Sequence, residues 1–273
     1  MTTTLPTVGL PRAALLTDAL VAPAGPAPGE DAVGRLRRDL IDALAVRSSG
    51  RPIRVDAYRL GSFVAQSEPG GFRWSARTAR RTIGVAAVAR CVAGRSGNPS
   101  DAVSAELEHL VRTAATDRTR SGTLGTWLAR LPKPGRLAVC AEARSWATHL
   151  FTAIEWHRLP PGSTVGRPDR WWDCPGVSPV AIRGRADVRV PVGGTDTGAA
   201  SLLTVAGGRP TATSPVELGL AALVDAVREP TGPVPARVIG WWPGCGRALV
   251  LPVDLTLLRR TADAVVEAAL VGP

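Results

Sequence analysis

The spacing of apolar positions along this chain changes near residue 178. Before it, apolar side chains recur every three or four residues; after it they alternate with polar ones or gather in short runs. In "DAVGRLRRDLIDALAVR", Val33, Leu36, Leu40, Ile41 and Leu44 share one helical stripe, with Arg35, Arg37 and Arg38 on other faces. In "GFRWSARTARRTIGVAAVARCVAG", spanning 71–94, Ser75 is placed to cap a helix with Ile83, Val85, Ala87 and Val88 on its apolar side. Arg77, Arg80 and Arg81 fall at i, i+3 and i+4 of the same helix, so three guanidinium groups share a face. "DAVSAELEHLVRTAA" and "LGTWLARL" read as further helices, and "PKPG" breaks the chain before a long helix over about 136–156. "IRVDAYRLGSFV" alternates, which fits either an exposed strand or a short turn of helix. Residues 1–30, ending in the Pro- and Gly-rich "VAPAGPAPGE", are expected to be flexible, with order beginning near Asp31.

Beyond the loop "RLPPGSTVGRPDRWWDCPG", "VAIRGRADVRVPV" and "ASLLTVAGG" read as successive strands joined by the turn-rich "GGTDTG". "SPVELGLAALVDAVREP" predicts a helix capped by Ser214. "ARVIGWWP" and "RALVLPV" then read as strands about "PGCG", and "DLTLLRRTADAVVEAAL" as a closing helix. The expected fold is α/β: a helical N-terminal half, then a mixed sheet within 180–253 with the helices over 136–156 and 214–228 packed on it. Three regions follow, a flexible segment over 1–30, a mainly helical basic region over 31–135 and an α/β core over 136–273.

Composition narrows the function classes. The 273 residues are 45% hydrophobic, enough for a substantial core, and carry 33 basic against 23 acidic side chains. All the basic residues but Lys133 are arginine, a bias expected of a GC-rich genome, so arginine abundance alone says little. Its distribution says more, since the excess is +7 in residues 1–100, +3 in 101–200 and zero afterwards. A surface of that sign attracts polyanions. Cys91, Cys140, Cys174 and Cys245 form no CxxC pair, which argues against a zinc ribbon or thioredoxin-like site and for reduced thiols. No run of 18 apolar residues is present and the start lacks the regions of a secretory signal, so a cytoplasmic protein with no membrane partner is expected. No GxSxG elbow supports a serine triad, and neither "GRSG" nor "VGG" leads to the lysine of a phosphate loop.

The order of elements over 136–273, with the tryptophan loop among them, resembles the RecB-like branch of the PD-(D/E)xK nuclease superfamily. In that family a strand with a glycine, a short gap and an aspartate precedes a strand ending in acid-x-lysine. A helix of the type "ELxxYALVEALR" and a strand like "RVxxYYP" follow. The matching segments are "RGRADVRV", "LLTVAGGRP", "VELGLAALVDAVR" and "RVIGWWPGCGRALVLPVD". The resemblance implies two carboxylates on magnesium and a lysine that orients water and offsets charge at the scissile phosphate. Asp187 matches the first acid, whereas Val205 or Ala206 stands at the second and Gly207 or Gly208 at the lysine. Arg209 offers charge nearby, but a planar, permanently charged guanidinium does not replace that lysine.

Asp187 therefore reads either as a remnant metal ligand or as a strand residue paired with Arg185 or Arg189. Glu142, alternatively a solvated helix acid, and Glu217 are the other remnant candidates, and His149 and His157 read as structural. The residues expected to touch nucleic acid are Arg73, Trp74, Arg77, Arg80, Arg81, Arg183, Arg185, Trp171 and Trp172. In the pairs Trp171–Trp172 and Trp241–Trp242 an extended chain sends one ring inward and leaves the other to stack on a base or join the core. The leading expectation is a catalytically inactive RecB-nuclease-like protein, a pseudonuclease with no cofactor, that binds DNA or serves a DNA-processing complex. The alternatives are a divergent magnesium-dependent nuclease using Asp187 with a displaced carboxylate, and a protein–protein adaptor that binds no nucleic acid.

Overall fold

The computed structural model describes residues 13–23, 25, 28–47, 52–65, 74–116, 123–166, 171–177, 180–192, 199–228 and 234–270. Its first half runs α1 (Ala13–Val21), α2 (Glu30–Arg47), β1 (Ile53–Asp56), α3 (Ala57–Val64), α4 (Ala76–Val92), α5 (Pro99–Thr116), α6 (Leu124–Arg130) and α7 (Lys133–Thr152). Its second half runs β2 (Thr164–Val165), β3 (Trp171–Asp173), β4 (Val180–Arg183), β5 (Val188–Pro191), β6 (Ala200–Val205), α8 (Ser214–Arg228), β7 (Arg237–Trp242), β8 (Arg247–Pro252) and α9 (Leu255–Leu270). The class is α/β, with a helical N-terminal half and mixed sheets flanked by helices.

Local chemistry accounts for the element starts. Ser75 accepts the Thr78 backbone N–H while Thr78 Oγ1 accepts the Ser75 N–H, a reciprocal cap that opens α4. Asp56 ends β1 and caps α3 through the Arg59 N–H at 2.9 Å, so the ambiguous segment is both a strand and a helix. The "PKPG" stretch begins α7 rather than preceding it, because proline in the first helical turn lacks only an N–H that would have no intrahelical partner. That helix ends at Thr152, earlier than its apolar pattern predicts.

Five strands form one sheet in the order β2-β5-β6-β7-β8. Strand β5 pairs antiparallel with β6, Val188 opposite Leu203 and Pro191 opposite Ala200. After the α8 crossover, β7 returns parallel to β6 with Val205 opposite Trp241. The expected single sheet is divided, however. The run over 181–190 breaks at Gly184, and β4 leaves to form a second sheet in the order β1-β4-β3. The break has a steric cause: a Cβ at Gly184 would lie 2.6 Å from Val224 Cβ and 2.9 Å from the Leu220 carbonyl, so only glycine lets the chain cross against α8. Strand β1, from the N-terminal half, completes this small sheet parallel to β4, and "WWD" is its third strand rather than loop.

The strands β6 and β7 are buried on both faces, and neighbouring residues enter different cores. Leu202, Val238 and Trp242 join α2, α3, α8 and α9 in one cluster; Leu203, Ile239 and Trp241 join α1, α4, α6 and α7 in the other. Each fully buried leucine contributes about 1.5–3 kcal/mol. Both clusters draw residues from either side of position 135. Within the segment before Asp31, α1 brings Leu16 and Leu20, one helical turn apart, into the second core. The Arg237 guanidinium also donates to the carbonyls of Ala19 at 2.9 Å, Ala22 at 3.0 Å and Pro23, tying down the end of that helix.

Candidate functional site

Asp187 stands just before β5, where its N–H donates to Leu203 O at 2.7 Å and its carbonyl accepts Gly166 N–H at 2.8 Å. Its side chain turns inward and is 2% exposed. Oδ1 accepts Arg185 Nε at 2.9 Å; Oδ2 accepts Arg81 Nη2 at 2.8 Å and the Val205 backbone N–H at 2.7 Å. Burial by itself raises the pKa of this carboxyl. The two guanidinium groups and the Val205 N–H outweigh it and hold the group below its ordinary value. Asp187 is thus neither an exposed strand residue nor a carboxylate facing another acid, and its sequence partner is Arg185 rather than Arg189, which pairs with Asp225 at 3.4 Å.

The residues that the sequence resemblance sets against a second acid and a lysine contribute backbone. Val205 points its side chain into the second core and gives its N–H to Asp187; Ala206 N–H donates to Trp241 O at 2.8 Å. Gly207 and Gly208 form a turn beneath Arg77. A Cβ at Gly207 would sit 3.1 Å from Arg77 Cγ, and Gly208 has φ +80°, so both positions suit glycine.

The three arginines of α4 therefore share a face, but that face meets the sheet end instead of lying wholly in solvent. Arg81 belongs to Asp187, and Arg80 Nη1 binds Glu142 Oε2 on α7 at 2.8 Å. Arg77 alone of the three is exposed and has no ion pair among the described residues. Glu142 thereby pairs with Arg80, and Asp187 with the next residue of the helix, Arg81. Glu217 is engaged elsewhere, accepting Thr213 Oγ1 at 2.7 Å and lying against Gly61 of α3. Among the described residues no group of three or more His, Cys, Asp or Glu is placed to hold a metal ion.

The other expected contacts divide. Trp172 is buried in the first core and Trp74 packs against the second, which removes Trp172 as a stacking platform. Arg185 is committed to Asp187, and Arg183 is half-buried at the end of β4. Both Trp241 and Trp242 are buried, because β7 is covered on each face. Arg73 and the Trp171 side chain lie outside the described residues. What the residue pattern left unseen was the Arg81–Asp187 pair, joined across 106 positions, for which neither segment carries a local signal.

The chain matches no family model, no curated protein and no solved structure.

Proposed function

We propose that this protein is a catalytically inactive RecB-nuclease-like protein that binds DNA or serves a DNA-processing complex. The observation that carries this reading is the closed carboxylate: Arg81, Arg185 and the Val205 N–H saturate Asp187 where a nuclease would hold a cation. A carboxylate oxygen already bound to a guanidinium competes poorly for magnesium, which takes oxygen ligands in strict octahedral geometry. The antiparallel β2-β5-β6 run, the α8 crossover and the parallel return of β7 support the family resemblance at the level of topology. The formal net charge of +10 supports an anionic partner.

The test is purified protein on labelled single- and double-stranded DNA with magnesium or manganese, beside Asp187→Asn. The expected result is binding that weakens steeply with salt and no cleavage. Metal-dependent cleavage by the parent that vanishes in a folded Asp187→Asn protein would make this a divergent nuclease. Absence of DNA binding at low salt would make it an adaptor.

A further inference from the structure

The carboxyl ends of the parallel strands β6 and β7 emerge side by side, and the turns that leave them touch: a Cβ at Gly244 would lie 4.0 Å from Gly208 O. The turn over 205–213 and the stretch over 243–249 contain no acid and place Arg209 and Arg247 at this end, both exposed. The first turn of α4, also without an acid, brings Arg77 over Gly208, its guanidinium atoms 3.8–4.0 Å from where a Cβ would be. The acids that approach this end are already engaged, Glu142 by Arg80, Asp187 by Arg81 and Arg185, Glu217 by Thr213. Neither Arg77 nor Arg209 has an ion pair among the described residues.

From this convergence we infer that Arg77 and Arg209, with the Gly207–Gly208 turn between their elements, form the locus that grips the phosphodiester backbone of DNA. The site rests on the DNA-binding reading above and deepens it. Two arginines that belonged to the helix face as read from sequence are removed from the interface, and one from the β6–α8 turn is added. The glycines matter because, lacking a Cβ, they let the Arg77 stem lie along Gly207 and its guanidinium rest over Gly208, at the exposed end of the strands. Phosphate contacts of this kind position a nucleic acid without reading its bases. Affinity at this locus is therefore independent of sequence.

The experiment compares the parent, Arg77→Gln/Arg209→Gln, and Arg95→Gln/Arg112→Gln on a short fluorescein-labelled DNA duplex of random sequence, across a salt series. The second variant removes the same charge from exposed arginines of other segments. Glutamine keeps carbons at the Cγ and Cδ positions that rest on Gly207, so the first variant is expected to melt like the parent. The expected result is a log-affinity against log-salt slope flattened by about 1.8 in the first variant, two phosphates at roughly 0.9 each, and an unchanged slope in the second. Equal loss in both variants, or no loss in the first, overturns the locus while leaving DNA binding standing. A parent that fails to bind the duplex at low salt overturns the locus together with the reading beneath it.

Discussion

At the scale of single residues, the Asp187 carboxylate is the group whose environment decides most. A buried carboxylate is costly unless paired, and here a guanidinium from α4 supplies the pairing across the fold. Removing Arg81 leaves the buried acid with Arg185 and one N–H, so Arg81→Gln is expected to cost about 3 kcal/mol of stability in urea unfolding, at the low end for a broken buried pair. Asp187→Asn leaves instead two partly exposed guanidinium groups that water can reach. Its expected cost is smaller, about 2 kcal/mol, the scale of hydrogen bonds to a charged group. The folded-state pKa of Asp187 is depressed, so its contribution is present above the unfolded value of about 3.9 and is lost as pH falls through the folded value. Unfolding of the parent and of Asp187→Asn should therefore differ by a constant amount between about pH 5 and 8 and begin to converge only as pH falls below about 4. A gap that persists in strong acid would contradict the ion-pair account.

At the scale of elements, α4 and α1 show how an apolar stripe acquires a second role. Helix α4 is opened by the Ser75–Thr78 cap, and its apolar side enters the second core. Its arginines then crowd the first turns, the end where the helix dipole disfavours cations. Asp187 and Glu142 offset that cost for Arg81 and Arg80 but not for Arg77. Helix α1 shows the opposite arrangement, because its carbonyl end receives the guanidinium of Arg237 from β7. Burial lowers the Arg237 pKa, yet the group gains carbonyl partners at a helix C-terminus. Arg237→Gln should release the end of α1 at about 2 kcal/mol. Hydrogen exchange would read this as faster exchange in 16–22 with β6 amides unchanged; equal protection in both proteins would mean that Leu16 and Leu20 hold the helix without the clamp.

At the scale of the molecule, the two cores share the strands between them. Because Leu202 and Leu203, Val238 and Ile239, and Trp242 and Trp241 alternate into different clusters, neither cluster forms without β6 and β7. The segment 136–273 also lacks α2, β1 and α3, which cover α8 and α9, and the Arg81 that neutralises Asp187. Expressed alone, 136–273 is expected to show no cooperative thermal unfolding, whereas the full chain should unfold in one transition by circular dichroism. A cooperative melt from the fragment would show that the C-terminal segment is stable by itself.

Helices α2, α4, α5 and α8 were legible because their 3.6-residue apolar stripes, and the Ser75 cap of α4, act within a few residues; Ser214, expected to cap α8, is instead its first residue and accepts the Thr211 N–H. The pairing of β5 with β6 was legible because they are successive strand-like runs, and Arg185 was one of the two partners read for Asp187. The division into two sheets was not, since it depends on Gly184 meeting Val224 of a helix 40 residues later. Nor was α1, whose place rests on Arg237 more than 210 positions away. A lone aspartate followed by Val205, Gly207 and Gly208 could be read from the chain, but its meaning could not. Local pattern selects elements, while the charge state and accessibility of a buried carboxylate depend on what the packed fold brings to it. That partner was Arg81, and the same helix leaves Arg77 outside.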